Sequence, residues 1–205
     1  MLIIGAETVR KLLPMAECID VMDTAMRAVS AGGVGAPDRL IAPLPDGESY
    51  LFLMPGTLSE PPVYGAKLIG LHPSNPAAGR PAVQGFVALF DGETGRPLAL
   101  VEGGEITRLR TAAASALATR LLSRPDARSH GVFGAGVLAA GHLEAIGCVR
   151  EIDTVRIWAR DPEKARAFAA RWAGAGKALV QAVRDPAEAA ACDIVSTVTN
   201  AHQPI

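Results

Sequence analysis

Cysteine is scarce in this chain, and that excludes two kinds of protein. Cys18, Cys148 and Cys192 are odd in number, far apart and set among apolar residues. Neither a disulfide framework nor a C-x-x-C zinc or redox pair can be built from them, so they read as buried thiols in a reducing, cytoplasmic setting. Aromatic residues make up only 4% of the 205 residues, which leaves Ala, Leu and Val to fill the core. Charge of neither sign dominates: the net charge of −1 gives no basic face for nucleic acid. The chain does not open on a basic segment followed by an apolar run, so no signal peptide is expected. No stretch approaches the roughly 20 apolar residues that span a bilayer, so no membrane partner is expected either. His72, His130, His142 and His202 lack the spacing of metal ligands, and no metal site is expected. What remains is an α/β protein with enough length for one large domain or two small ones.

What is present begins with glycine. Val132-Phe133 reads as a short buried strand that turns through Gly134-Ala135-Gly136 into helical spacing at Val137, Ala140, Leu143 and Ile146. A strand–glycine turn–helix unit points bare backbone N–H groups and a helix N-terminus at a diphosphate. Gly134 permits the tight turn, Gly136 lets phosphates approach, and Ala139 takes the helix-packing position of the fingerprint. The bland alternative is an incidental glycine turn. Downstream, 154–158 reads as a second strand and Asp161-Pro162-Glu163 as a capped helix start. A third strand at 178–181, a short helix opening at Asp185-Pro186 and a fourth strand at 192–197 complete an alternating pattern. Alternation of this kind implies a Rossmann-type, doubly wound parallel sheet over 124–205, with ligand at the carboxyl ends of its strands. Those ends gather Gly134 to Gly136, Ala159 and Arg160, and Thr197 to Asn200.

The second strand also bears on which nicotinamide cofactor is bound. An NAD site usually places a carboxylate there to hold the ribose diol. This chain has Ala159 and Arg160, and Asp161 is better used as a helix cap. A guanidinium suits a 2′-phosphate in charge and in its forked donors, so NADP(H) is favoured over NAD(H). Arg160 as a solvated surface arginine beside bound NAD is the alternative.

Residues 1–123 follow another pattern. A short strand at 2–4 precedes two helices at 8–13 and 15–31, the second with Ile19, Met22, Met26 and Val29 on one face. Short strands then follow at 39–42, 49–54, 64–69, 85–90 and 97–101, with a hairpin turn at Asp91-Gly92-Glu93-Thr94-Gly95. This is a mostly antiparallel α+β domain, joined through an Ala-rich helix at 106–122. Arg39, Lys67 and Arg110 sit where an anion could be received. Lys67, inside an otherwise apolar strand, either points to solvent or faces a ligand. Arg108 and Arg110 could both be ordinary helix-surface residues.

Several motifs in this order are similar to those of the ornithine cyclodeaminase/μ-crystallin family. They are Met54-Pro55-Gly56, Tyr64-Gly65-Ala66-Lys67, His72-Pro73-Ser74-Asn75, Leu89-Phe90-Asp91 with Thr94-Gly95, and the run from Ile106 through Arg110-Thr111 to Ser115. The Gly134 loop and Thr197-Val198-Thr199 complete the match. The resemblance implies a substrate-binding and dimerisation domain followed by an NAD(P)-binding domain, in a homodimer joined through the first domain. It implies that Arg39, Lys67 and Arg110 hold a substrate carboxylate, with Lys67 and Arg110 catalytic. It further implies that Thr111, Gly134, Ala135, Gly136, Val137, Arg160, Thr197, Val198 and Thr199 hold the cofactor. The implied activity is hydride transfer at Cα of a small α-amino or cyclic imino acid, as an imine reductase, amino-acid dehydrogenase or cyclodeaminase. A lysine beside arginines would have a lowered pKa and could stay close to an amine or act as a base.

Three departures from the family pattern stand out, the one at Leu138 expected to be minor. Ornithine-cyclising members carry a glutamate two residues before the Met-Pro pair, where this chain has Phe52, which favours a less polar or cyclic substrate. Leu138 replaces a glutamine common among relatives. Family members also continue beyond the fourth strand with an acid/base aspartate, so the 205 residues are expected to be a fragment with an incomplete Rossmann sheet. A non-catalytic NADP(H)- and small-ligand-binding protein of the same family is the alternative function.

Overall fold

The structure is a computed structural model that describes residues 1–199, 201, 203 and 204, so the expectation for Asn200 lies outside the described residues. The chain forms two compact units. One comprises Met1–Pro14 and Asp23–Thr107, the other Met15–Met22 and Arg108–Ile205.

The first unit is built on one sheet. Its strands are β1 (Leu2–Ile4), β2 (Val34–Gly35), β3 (Leu40–Pro43), β4 (Tyr50–Leu58), β5 (Val63–Leu71), β6 (Val83–Asp91) and β7 (Pro97–Glu102). The order is β1-β7-β6-β5-β4-β2, with β3 also on β4, and every pairing is antiparallel except β1 with β7. The Asp91 turn closes the β6–β7 hairpin as expected: Gly95 N–H donates to Asp91 O at 3.0 Å, and the Asp91 carboxylate accepts from the backbone N–H groups of Glu93 and Thr94. β4 runs on through Pro55 and Gly56, past the expected end at Met54. A proline is tolerated there because β3 covers only Tyr50 to Leu53 and β2 only Thr57 and Leu58, leaving a gap in the ladder. The two-residue β2 and a 3₁₀ turn at Asn75–Ala78 carry no strong sequence pattern and were not expected.

The helices α1 (Ala6–Leu12) and α2 (Met15–Ser30) match expectation in position. The expected burial of α2 needs correction. Met15, Cys18 and Ile19 are buried, whereas Met26 and Val29 are 45% and 55% exposed. Helical spacing puts these residues on one face, but burial also needs a partner surface, and Val29 lines an open hollow.

The second unit contains β8 (Ser129–Phe133), α4 (Val137–Val149), β9 (Thr154–Trp158), α5 (Pro162–Trp172), β10 (Leu179–Ala182), α6 (Pro186–Ala190) and β11 (Ile194–Thr197). All four strands are parallel in the order β10-β9-β8-β11, so the winding reverses at β8. On one face, Val132, Val155 and Ile157 pack with Ala139 of α4 and with Ala165 and Phe168 of α5. On the other face, α6 lies against Gly131, where a Cβ would come within 1.9 Å of the Ala189 carbonyl oxygen. Helices on both faces make the sheet doubly wound, as expected. Asp193 ties the start of β8 to β11: it accepts from the backbone N–H groups of Arg128 and Ser129 and from the Ser129 hydroxyl. Those hydrogen bonds, the one from Arg128 N–H first, hold its pKa down to about 2.

The Ala-rich helix α3 (Gly103–Leu122) gives its residues from Arg108 onward to this unit and packs on α4. Ala112 meets Gly141, Ser115 Oγ lies 3.0 Å from His142 Nε2, and Arg108 pairs with Glu144 at 3.1 Å. Arg150 closes the carboxyl end of α3 by donating to the carbonyls of Thr119, Arg120 and Ser123. Cys18 and Cys192 are buried as expected, but Cys148 is exposed, because it lies two positions past buried Ile146 and hence on the far side of α4.

His130 is the notable polar group in this core. It is 1% exposed, with Nε2 2.9 Å from Ser196 Oγ. Burial first, and the neighbouring His142 second, lower its pKa from 6.5 to about 4. Its depressed folded pKa means that the unfolded chain binds more protons between pH 6.5 and 4, so acidification through that window costs stability. The loss approaches ~3 kcal/mol at pH 4, and chemical denaturation of His130→Gln across pH 4–7 should show a correspondingly flatter acid limb.

Candidate functional site

The turn after β8 is set by three strand ends. Gly134 N–H donates to Trp158 O at the end of β9 (2.8 Å), and Val198 N–H, just past β11, donates to Phe133 O (2.8 Å). Gly134 has φ +122°, and a Cβ on it would stand 2.6 Å from the Val198 carbonyl oxygen. Only glycine fits there. Gly136 differs. It is the N-cap of α4 and makes no side-chain cap hydrogen bond, and a Cβ there would meet nothing within 4 Å. The uncapped first turn of α4 therefore opens onto free space beside Gly136 and the exposed Val137. An open cradle over unpaired helix N–H groups fits a diphosphate, and Gly134, Ala135, Gly136 and Val137 are the residues that would hold it.

The other expected cofactor residues of this unit lie at the same ends of the strands. Arg160 follows β9 and is exposed. Asp161 caps α5 as expected, accepting from the N–H groups of Glu163 (3.0 Å) and Lys164 (3.4 Å). Thr197 ends β11, and Thr199, which is exposed like Thr197, accepts from Ala201 N–H. Val198 is half-buried against the Gly134 turn, and its role there is structural as well. Thr111 is half-buried and Arg110 exposed on α3. Arg108, weighed with Arg110 as a surface residue, is instead held by Glu144 with its side chain only 14% exposed.

Arg39 and Lys67 belong to the first unit, and strand register brings them to one face of its sheet. Phe52 pairs with Ile69 and Met54 with Lys67, while Ile41 pairs with Phe52. Side chains directly opposite share a face, so Lys67, Met54, Phe52 and Ile41 point the same way. The Arg39 guanidinium stands 5.8 Å from the Phe52 ring centroid, which puts Arg39 on that face too. Lys67 is half-buried in the wall of a hollow of about 370 Å³ shared with Ala25 and Val29 of α2 and with Met54, Val87 and Leu89. It is the charged residue of that wall among the described residues. Its side chain is thus neither fully solvated nor buried. Phe52 and Met54 as neighbours of the cations were legible only once strand pairing was known.

Replacing Gly134 by Ala forces both the turn conformation and the contact with Val198. The expected result is a loss of about 1–3 kcal/mol in unfolding free energy, read by denaturant titration.

Comparison with known proteins finds relatives along the whole chain. The profile of the ornithine cyclodeaminase/mu-crystallin family matches residues 2–205. A Delta(1)-pyrroline-2-carboxylate reductase of Bacillus cereus is 35% identical over 206 residues, covering 100% of this chain and 63% of its own length. The structure of the Thermococcus litoralis Delta(1)-pyrroline-2-carboxylate reductase in complex with NADH and L-proline superposes with a TM-score of 0.91 at 32% identity. That match covers 96% of this chain and 61% of the other. An archaeal alanine dehydrogenase dimer with bound NAD gives 0.89 at 30% identity, covering 100% and 62%. This chain thus spans a little over three fifths of the length of these relatives. The chain belongs to the ornithine cyclodeaminase/mu-crystallin family.

Proposed function

We propose that this family member acts as an NADP(H)-dependent enzyme that transfers hydride at Cα of a small α-amino or cyclic imino acid. The observation that carries the reading is the cradle at Gly136: an uncapped α4 N-terminus with open space where a side chain would go. The relatives' reductase and dehydrogenase names, and the NADH and L-proline held by one of them, support the class of reaction. Preference for NADP(H) rests on Arg160, an exposed cation at the strand end where a ribose-binding carboxylate would select NAD.

The nicotinamide, when bound, supplies or accepts the hydride. This chain's residues bind and orient the other reactant. Lys67 and Arg39, on one sheet face with Phe52 and Met54, offer cations for a carboxylate and an apolar surface for its side chain. Arg110 is proposed as a further carboxylate ligand, and Thr111, Thr197, Val198 and Thr199 as neighbours of the cofactor. Fixing a carboxylate orients Cα relative to the nicotinamide, and positioning of this kind supplies much of the rate. Phe52 favours a cyclic or apolar side chain over a distal amine. A homodimer through the first unit is supported by the opposite sheet face, where Leu40, Leu51, Tyr64 and Phe86 lie uncovered. A cytoplasmic setting fits three free cysteines, and among the described residues no helix is long and apolar enough to cross a membrane.

Two experiments test the reading. Saturating NADPH should stabilise the chain by about 3 kcal/mol at a hundredfold excess over Kd. Gly136→Val should keep the unliganded melting temperature within a few degrees, because a Cβ there meets no protein atom within 4 Å, yet abolish the NADPH-induced rise. A variant that still responds fully to NADPH rules out the diphosphate site. In the full-length enzyme, Lys67→Ala should retain cofactor binding and lose turnover with pyrroline-2-carboxylate, followed by NADPH absorbance. Undiminished turnover removes Lys67 from the catalytic machinery.

A further inference from the structure

We infer that Arg184 is a second specificity-determining cation for the cofactor, holding the adenosine 2′-phosphate together with Arg160. The inference rests on the proposed NADP(H) site and adds a residue that its glycine fingerprint does not contain. Strand order places it. A dinucleotide whose diphosphate sits at the end of β8 must spread over the flanking strand ends, β9 and β10 on one side and β11 on the other. The β11 side offers the neutral Thr197 and Thr199. The β9–β10 side offers cations. Val183 N–H donates to Ile157 O at 2.9 Å, which continues the parallel register beyond Ala182 and sets Arg184 beside Ala159, next to Arg160.

Both arginines are exposed, and among the described residues neither makes an ion pair or a side-chain hydrogen bond. The nearby carboxylates are engaged elsewhere. Asp161 caps α5, Asp185 caps α6 through Ala187 N–H at 2.9 Å, and Glu163 is paired with Arg166. Glu188 shares with Arg184 an open hollow at the β10 edge, without an ion pair between them. Two arginines carried on adjoining strand ends, with no carboxylate partner among the described residues, offer forked donors that match the oxygens of a doubly charged phosphate.

The test uses calorimetric titration of the chain with adenosine 2′,5′-bisphosphate and with 5′-AMP, which differ only in the 2′-phosphate. The unmodified chain should bind the bisphosphate more tightly. Arg184→Ala should reduce that preference about tenfold, the scale of one charge-assisted contact, with 5′-AMP affinity unchanged. Arg184→Lys should recover part of it, and the preference should shrink as salt rises. A preference left intact in Arg184→Ala, or an equal loss for both ligands, overturns the inference while leaving the NADP(H) reading in place. No preference in the unmodified chain overturns the NADP(H) reading itself and the role of Arg184 with it.

Discussion

The close fit of Gly134 against the Val198 carbonyl is the constraint on which the turn of the parallel-sheet unit depends. Parallel strands leave their carboxyl ends uneven, and a ligand crevice forms only where one chain turns back sharply enough to leave its helix N-terminus open. Here the turn is clamped on two sides, by Trp158 O from β9 and by Val198 from beyond β11. The space for a Cβ is already occupied by backbone, so Gly134 is required for packing before any ligand is considered. Gly136, two residues on, is under no such pressure. A glycine that the protein itself does not need is the stronger sign of a bound group.

The sheet of the first unit divides its duties by face. Period-two alternation sends Arg39, Phe52, Met54 and Lys67 to one side, and Leu40, Leu51, Tyr64 and Phe86 to the other. The first side carries charge against an apolar floor. The second is an apolar surface that water penalises, suited to another sheet. One strand thus serves two purposes, because neighbouring residues cannot share a face.

Much of this was legible in advance wherever the signal is local. The Asp161-Pro162 and Asp185-Pro186 helix starts, the Gly95 hairpin and the bounds of β9 follow from short-range chemistry, and the structure repeats them. Burial was less legible. The helical spacing of Met26 and Val29 could not reveal that they stay 45% and 55% exposed, and the apolar neighbours of Cys148 could not show that it faces outward. The parallel course of β1 beside β7 joins residues nearly a hundred positions apart, which no window of sequence contains.

Composition and short motifs by themselves determined the class of each half, the glycine turn after β8 and the candidate cations, since propensity, capping and charge act within a few residues. Only the tertiary structure decided which of those cations share a surface. Strand pairing put Arg39 and Phe52 on the face of Lys67 and set Arg184 beside Ala159, while the packing of α3 on α4 enlisted Arg108 into an ion pair with Glu144. The reason is physical. A side chain's direction is fixed by the register of the strand or helix that carries it, and register is settled by contacts distant in sequence.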